Sequence, residues 1–554
     1  MMPDRKKNLQ DISSQTYDLL IVGGGITGAG IALDAASRGL KVLLLEAQDF
    51  AFGTSSRSTK LIHGGLRYLK QGEVALVREV GTERAIVHRN APHLVVPEKM
   101  LLPLITEGTY GYWATSAGLF LYDMLAKVKM SEWRIMLNKK ETIDREPLLR
   151  SDILKGAGYY AEYRTDDARL VIEIVKTAQK YGATLLNYVK VEDFTYKNQK
   201  ITGAFCKDQY GQQDFYVKAK NIVNATGPWA DEGRKKDNSL QGKRLHLTKG
   251  VHLVVPHYRL PLQQAIYFDV PDGRMIFAIP RGNSTYIGTT DTNYKGDIAH
   301  PNVSQDDAEY LLESTNFMFP DVQLTLEDVQ SSWAGLRPLI HEDGKLPSEL
   351  SRKDEIFIAP SGLITIAGGK LTGYRKMAEK VVNMIVKEIT ETSKQRLPKC
   401  FTQDIRLEGG LFENFTEVVQ YRENLWKKYK QLSIEEEDIH YLVHNYGKQS
   451  EIILQTFQEL NTENNNNDIA LHLLKAELLF CLKNEMVLMP ADFLMRRTGR
   501  MYFDMPTVKK YYVEILHYFG IQMQWTEAKI AQETTQIQLL IEELELKNLK
   551  NKHN

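Results

Sequence analysis

The chain of 554 residues is 43% hydrophobic, which is enough apolar content for more than one core. Lysine plus arginine and aspartate plus glutamate total 70 each, so no whole-chain field draws it to nucleic acid or anionic lipid, and any such contact needs a local patch. The three cysteines, Cys206, Cys400 and Cys481, are far apart and form no CxxC; they exclude a disulfide framework and a cysteine-rich metal site and fit a reducing compartment.

The opening stretch, "MMPDRKKNLQDISSQ", is charged and polar without an apolar signal region. No later stretch reaches the ~18 apolar residues of a membrane helix, so the expectation is a protein exposed to the cytosol. From Asp18 to Glu46 an apolar strand enters a knot of glycines, a helix follows, and a second apolar strand stops on an acid. A loop and helices run on to about Leu94, in the manner of a doubly wound α/β domain. Strand-like segments dominate from about Gly182 to Glu355, among them "MIFAIP" and "TYIGTT" joined by "RGNS", a hairpin signal. Two segments, Lys220–Asp231 and Gly362–Val386, return to the first pattern of short apolar strand, glycine turn and helix start. From about Lys399 the periodicity turns helical, as in Leu471, Leu474, Leu478 and Leu482, and stays so to the end. The run "ENNNND", Glu463 to Asp468, is a solvated loop between helices.

The resulting organisation is a Rossmann-like α/β domain (1–94, 160–248 and 355–395), an interleaved antiparallel β-sheet domain (95–159 and 249–354) and a C-terminal α-helical domain (396–554). In the first of these, Gly23, Gly25 and Gly28 have the GxGxxG spacing. The first permits the tight turn, the second lets backbone approach a pyrophosphate, and the third lets helix pack closely on strand. Phosphate then rests on the N-terminus of the helix. Glu46 ends the second strand about 20 residues on, placed to accept from a ribose hydroxyl.

That unit alone suits NAD or FAD. The next segment, "GTSSRSTKLIHGGLRYL", Gly53 to Leu69, adds five serine and threonine hydroxyls and Gly64–Gly65. A polar surface loop accounts for the hydroxyls but not for the double glycine flanked by His63 and Arg67. With the returns at Asn224–Gly227 and Gly368–Gly369, the pattern suits a cofactor lying across several strand ends, as FAD does.

At these residues the sequence resembles the FAD-dependent glycerol-3-phosphate dehydrogenases of bacteria, the aerobic, quinone-linked type, within the glutathione-reductase-like flavoproteins. The resemblance is carried by "IVGGGITGAGIALDAASRG", "SSRSTKLIHGGLRYL", "DDARLV", "NIVNATGPWAD", "TKGVHLVVP", "IGTTD", "AGLRPL", "AGGKLTGYRKMAE" and "DFLMRRTGRMYF", in family order over nearly the whole chain. It implies oxidation of sn-glycerol 3-phosphate to dihydroxyacetone phosphate by hydride transfer to flavin N5, in glycerol catabolism. It also implies a membrane quinone as acceptor, peripheral contact with the inner face of the cell membrane, and a homodimer. A glycerol-3-phosphate oxidase releasing hydrogen peroxide is the alternative.

The resemblance places the substrate on positions matching Arg67, Tyr68, His252, Arg337 and Lys370. Arg337 precedes Pro338, which favours extended backbone, and its planar guanidinium suits bidentate contact with phosphate. Lys370 begins the last helix of the nucleotide domain, near where reduced flavin gathers negative charge. His63 and His252 compete as the base, since imidazole titrates nearest neutral pH. The cofactor set is Gly23, Gly25, Ile26, Thr27, Gly28, Glu46, Thr54, Ser55, Ser56, His63, Gly64, Gly65, Leu66, Val191, Ala225, Thr226, Gly227, Gly368, Gly369, Lys370, Leu371 and Thr372. Arg496 and Arg497 in "MRRTG" are read as structural, binding helix ends or acids of the main body. The uncharged aromatic run from Tyr110 to Tyr122 is either core or an apolar plateau at a bilayer interface.

Overall fold

Strand Thr16–Val22 sits inside a sheet of eight strands among the described residues because both of its faces are apolar: Leu19, Leu20 and Ile21 are fully buried. It pairs in parallel with Gln213–Asn224 on one side and Val42–Leu45 on the other. Ile364–Ala367 and Thr184–Leu186 extend the parallel set, and Glu355–Ile358 and the hairpin Val189–Lys197/Lys200–Asp208 add antiparallel strands. The computed structural model describes residues 5–62, 74–109, 111–125, 133–341, 354–368, 370–463 and 468–553. Helices Ile26–Ser37, Asp167–Lys180 and Tyr374–Ser393 share one core with this sheet through Ala32, Ala35, Ile174, Val175, Met377 and Val381.

Both expected returns are present. Gln213–Asn224 ends in the turn at Ala225–Gly227, and Ile364–Ala367 leads through Gly368 to the helix Tyr374–Ser393. The opening polar stretch, which carried no element in the sequence reading, forms the helix Arg5–Ser14. Its Leu9 and Ile12 are buried against Phe215 and Val217, and Arg5 pairs with Asp208 at 2.8 Å.

A second, mostly antiparallel sheet, of ten strands among the described residues, lies beside the first, and a long pairing in it runs Arg244–Pro256 against Ser331–His341. The expected hairpin is Met275–Arg281 with Ser284–Gly288, turning at Gly282 with φ +56°. Within this strand-rich region the chain also forms the helix Gln305–Met318. Ser304 and Asp307 make its capping box, and Ala308, Leu311, Leu312 and Met318 bury one face on the second sheet. Those residues repeat at helical spacing, so this element was readable from the sequence.

The helical region begins later than the periodicity suggested. Its first long helix is Phe415–Tyr429, and Ile405 and Leu407 before it pack into the core of the nucleotide sheet. Helices Glu436–Tyr446, Ser450–Glu463, Ile469–Asn484, Met505–Gln522 and Glu527–Leu544 follow. Leu471, Leu474 and Leu478 are buried and Leu482 packs beside them. The core of these helices continues into the second sheet, where Trp333 and Tyr286 meet Tyr502 and Phe503. The greater part of "ENNNND", residues 464–467, falls outside the described residues. Among the described residues no helix is long and apolar enough to cross a membrane.

Candidate functional site

At the end of strand Thr16–Val22 the backbone must turn against the neighbouring chain. Gly23 has φ +110°, and a Cβ there would lie 2.6 Å from the carbonyl oxygen of Ala225. Gly28 lets the next helix approach the same turn, since a Cβ on it would stand 1.9 Å from the Gly23 oxygen. The helix starts at Ile26 without a side-chain cap from Gly25, and the Ile26 N–H donates to Ser55 Oγ at 3.0 Å. Glu46 accepts from the N–H groups of Gly24 at 2.6 Å and Gln48 at 2.9 Å. Burial raises its carboxyl, these two N–H donors oppose the rise, Asp49 adds to it and Arg496 opposes it.

These residues border a cavity of about 390 Å³ that follows the carboxyl ends of the parallel strands, from Val189 and Glu46 past Gly23 and Ala225 to Gly368. Ligands of open α/β sheets bind along that edge. Of the expected cofactor set, Gly23, Gly25, Ile26, Thr27, Glu46, Thr54, Ser55, Val191, Ala225, Thr226, Gly227, Gly368, Lys370 and Leu371 line it. Gly28, Ser56 and Thr372 do not: Gly28 serves helix packing, and Ser56 and Thr372 are 2% exposed. His63, Gly64, Gly65, Leu66, Arg67, Tyr68 and Gly369 lie outside the described residues. A dinucleotide fits this donor set. The glycines leave room for a pyrophosphate, Glu46 offers a ribose acceptor at one end, and Lys370 a cation at the other.

The sequence reading missed several lining residues, including Phe52, Gly53, Lys190, Phe194, Trp229 and Lys236. Trp229 stands in the "ATGPWAD" run that was singled out, and a Cβ on Gly53 would lie 3.0 Å from its ring. Phe194 and Lys236 come from the hairpin and a short helix, and they carry no local signal for a cofactor.

The second sheet brings His252 and Arg337 to the neighbouring edge. His252 is 2% exposed and faces Gly288 across the sheet, where a Cβ would strike the imidazole at 2.2 Å. Its ring stacks on Trp333 at 4.7 Å with 12° between planes, and its Nε2 lies 3.0 Å from Thr59 Oγ1. Its Nδ1 has no hydrogen-bond partner among the described residues. Burial, and next the charges of Arg337 and Lys60, push its pKa well below the usual histidine value, so the ring is neutral near pH 7. The Arg337 guanidinium donates to Thr289 Oγ1 at 3.1 Å, the Thr290 carbonyl at 3.2 Å and Asp291 Oδ1 at 3.1 Å. Gly250 makes its space, since a Cβ there would meet Arg337 Nη2 at 2.7 Å.

The loop after Glu46 ties the two sheets together at this edge. Thr54 Oγ1 donates to the Leu336 carbonyl at 2.7 Å, and Trp333 Nε1 donates to the Ser58 carbonyl at 3.2 Å. Gly335 lets the loop cross the strand, because a Cβ there would lie 2.2 Å from the Arg57 oxygen. A neutral imidazole and a guanidinium are thereby held beside a dinucleotide-sized cavity.

Comparison with known proteins bears on what uses this arrangement. The sequence profile of the family described as FAD dependent oxidoreductase matches residues 18–375, and that of the C-terminal domain of alpha-glycerophosphate oxidase matches residues 400–530. The aerobic glycerol-3-phosphate dehydrogenase of Bacillus subtilis (strain 168) is 51% identical, over 95% of this chain and 94% of its own. That of Staphylococcus haemolyticus (strain JCSC1435) is 47% identical over 97% and 96%. Among solved structures, the glycerol-3-phosphate dehydrogenase from Bacillus halodurans complexed with FAD superposes with a TM-score of 0.83, at 43% identity, over 98% of this chain and 97% of that one.

Proposed function

The chain belongs to the FAD-dependent oxidoreductase family, among the aerobic glycerol-3-phosphate dehydrogenases, and from that premise we propose how its residues divide the work. It is an FAD-dependent enzyme that oxidises sn-glycerol 3-phosphate to dihydroxyacetone phosphate. The observation that carries the reading is the cavity along the parallel strand ends with neutral His252 and Arg337 at its neighbouring edge. The nucleotide-binding part is assigned 1–94, 160–248 and 355–395, the substrate part 95–159 and 249–354, and the helical part the remainder.

FAD would rest on the Gly23–Gly28 turn, Glu46, Thr54–Ser55, Ala225–Gly227 and Gly368–Leu371, and when bound it supplies the acceptor for the hydride leaving C2. Arg337, Lys370 and Arg67 hold the phosphate, and Tyr68 completes the contact. The backbone and side-chain oxygens around Arg337 fix its guanidinium before substrate arrives, so less order is lost on binding. His252 takes the proton from the C2 hydroxyl. Burial keeps the ring unprotonated near neutral pH, the form that can accept a proton, and stacking on Trp333 fixes the ring plane.

Arg337→Ala is expected to raise KM for glycerol 3-phosphate while FAD content stays unchanged, because a phosphate contact acts alike in ground and transition states. A variant with the parent KM would remove Arg337 from the phosphate site.

The electron acceptor in this reading is a membrane quinone, reached by a homodimer docked on the inner face of the membrane. Support comes from helix Tyr112–Leu125, where Trp113 is 83% exposed and Phe120 and Met124 are exposed on the same element, with Ile135 also exposed. The expected aromatic run is thus divided, since Tyr122 is fully buried and hydrogen-bonded to Glu162, while Tyr110 lies outside the described residues. Trp113→Glu and Phe120→Glu should keep turnover with a soluble dye yet lose liposome binding and quinone reduction. Normal liposome binding by both would move the contact elsewhere, and oxygen uptake without quinone would favour the oxidase.

A further inference from the structure

The pair Arg496–Arg497 belongs to the helical domain, yet both guanidiniums converge on Asp49, a buried residue of the loop that joins two cavity-lining segments. Arg496 Nε donates to Asp49 Oδ2 at 2.6 Å, Arg497 Nη1 to the same oxygen at 2.7 Å, and Arg497 Nη2 to Oδ1 at 2.9 Å. Asn187 adds a fourth donor at 3.0 Å, and Asp49 and Arg497 are fully buried. The arginines end a π-helical turn, Asp492–Arg497, whose wider winding narrows the angle between neighbouring side chains and lets both reach the same carboxylate.

The turn is itself pinned from both sides. Arg497 donates to the Glu485 carbonyl at 2.9 and 3.1 Å, and Arg496 to Asp492 at 2.7 Å. Asp492 accepts from the Leu488 and Met489 N–H groups and from the Tyr188 hydroxyl at 2.6 Å.

Asp49 lies midway between Glu46 and Phe52, which both line the cavity. The loop between them is also tied by the Ala51 N–H to the Gly24 carbonyl at 3.0 Å, the Tyr188 N–H to the Gln48 carbonyl at 2.8 Å and the Phe52 N–H to the Asp49 carbonyl at 3.1 Å, and Phe50 and Ala51 are buried in the core of the nucleotide sheet; the arginines are what neutralise its one buried carboxylate. Ala51 sits at φ +63°, a left-handed conformation that an L-residue keeps only when its surroundings over-determine it. Arg496 also lies 5.7 Å from the centre of the Phe52 ring. Withdrawing the helical domain would strand the Asp49 carboxylate in a buried place at the middle of this loop.

We infer that Arg496 and Arg497 are positioning residues for FAD: through Asp49 they hold the Glu46–Gly53 wall in shape, so docking of the helical domain and binding of FAD are coupled. The inference rests on the FAD reading of the cavity and not on the substrate. Coupling of this kind is reciprocal, so FAD tightens the domain joint as much as the joint tightens FAD.

Apoprotein, prepared by removing FAD from the full chain, is titrated with FAD by flavin fluorescence. Arg497→Met and Asp49→Asn should each weaken binding by about tenfold or more, with less than additive loss in the double variant. Arg496→Lys should restore most of what Arg496→Met loses. Hydrogen exchange of the wild-type protein should slow across Met489–Phe503 when FAD is added. Parent FAD affinity in Arg497→Met overturns the inference, and so does exchange across Met489–Phe503 that ignores FAD, a measurement that decides the matter even if the variants fail to fold. Apoprotein that binds no FAD overturns the cofactor reading itself.

Discussion

Around the FAD cavity the chain works with backbone and with side chains it omits, whereas the joint between the nucleotide sheet and the helical domain is dense with buried charge. Gly23 and Gly28 leave gaps that a single methyl would close against a carbonyl oxygen. At the joint, Arg169 donates to Glu485 at 2.6 and 3.0 Å and to Glu173 at 2.6 Å, and Lys176 reaches the same two carboxylates. Burial would raise Glu485, but Arg169 and Lys176 hold it down to about 2; burial lifts Glu173 to about 7 against the same cations. Desolvating so many charges consumes most of what their attraction returns. The joint therefore adds little stability over apolar packing but rewards one docking geometry, because any shift leaves a charge without its partner. The cavity needs open space for a ligand, and the joint needs a single answer.

Three measurements would break or sharpen that contrast. The largest effect should come from Arg169→Met, which leaves Glu485 and Glu173 short of a cation in a buried place and should cost about 3–5 kcal/mol in urea unfolding. A loss below about 1 kcal/mol would mean that the joint tolerates an unpaired charge, and the contrast would fall. Next comes Gly28→Ala, behind the glycine turn that borders the cavity, where the added Cβ meets backbone rather than a mobile side chain. It should cost about 1–3 kcal/mol and appear as a fall in FAD content, read from the ratio of flavin to protein absorbance. Full FAD content at unchanged melting temperature would show that the turn has room to give.

The smallest effect per step is the acid response, pH unit by pH unit, of His93, which sits at the joint, fully buried, with neither ring nitrogen hydrogen-bonded among the described residues. Burial first, then Arg169 and Lys176, push its pKa from 6.5 to about 3. The folded state thus favours the neutral ring. Its contribution is fully present above pH 6.5 and is lost as pH falls towards 3, at about 1.4 kcal/mol per pH unit. Melting curves from pH 7 to 5 should show that slope, reduced in His93→Leu. An equal slope in the variant would assign the acid response to other groups.

Much of the cavity was readable in chain order. The glycine turn and the two returns each combine a strand, a turn and a helix start within a few residues, and backbone conformation is set at that range. The second sheet's hairpin was readable for the same reason. The helix Gln305–Met318 carried its own signal in Ser304 and Asp307, but the strand-rich surroundings hid it. Arg496 and Arg497 were rightly read as binding acids of the main body, yet nothing local names Asp49, which stands 447 and 448 residues away.

By itself, then, the sequence determined the nucleotide-binding topology, because spacing along a strand or helix dictates which groups face a turn, and its resemblance to a family implied the kind of chemistry at the edge. Only the tertiary structure decided that Gly288 and Trp333 frame His252, that Gly250 makes room for Arg337, and that the helical domain reaches, through Asp49, the loop between two cavity-lining segments. A buried contact between distant segments is selected by shape and by the cost of an unpaired charge. Both depend on every neighbour at once, and neither is written in any local run of residues.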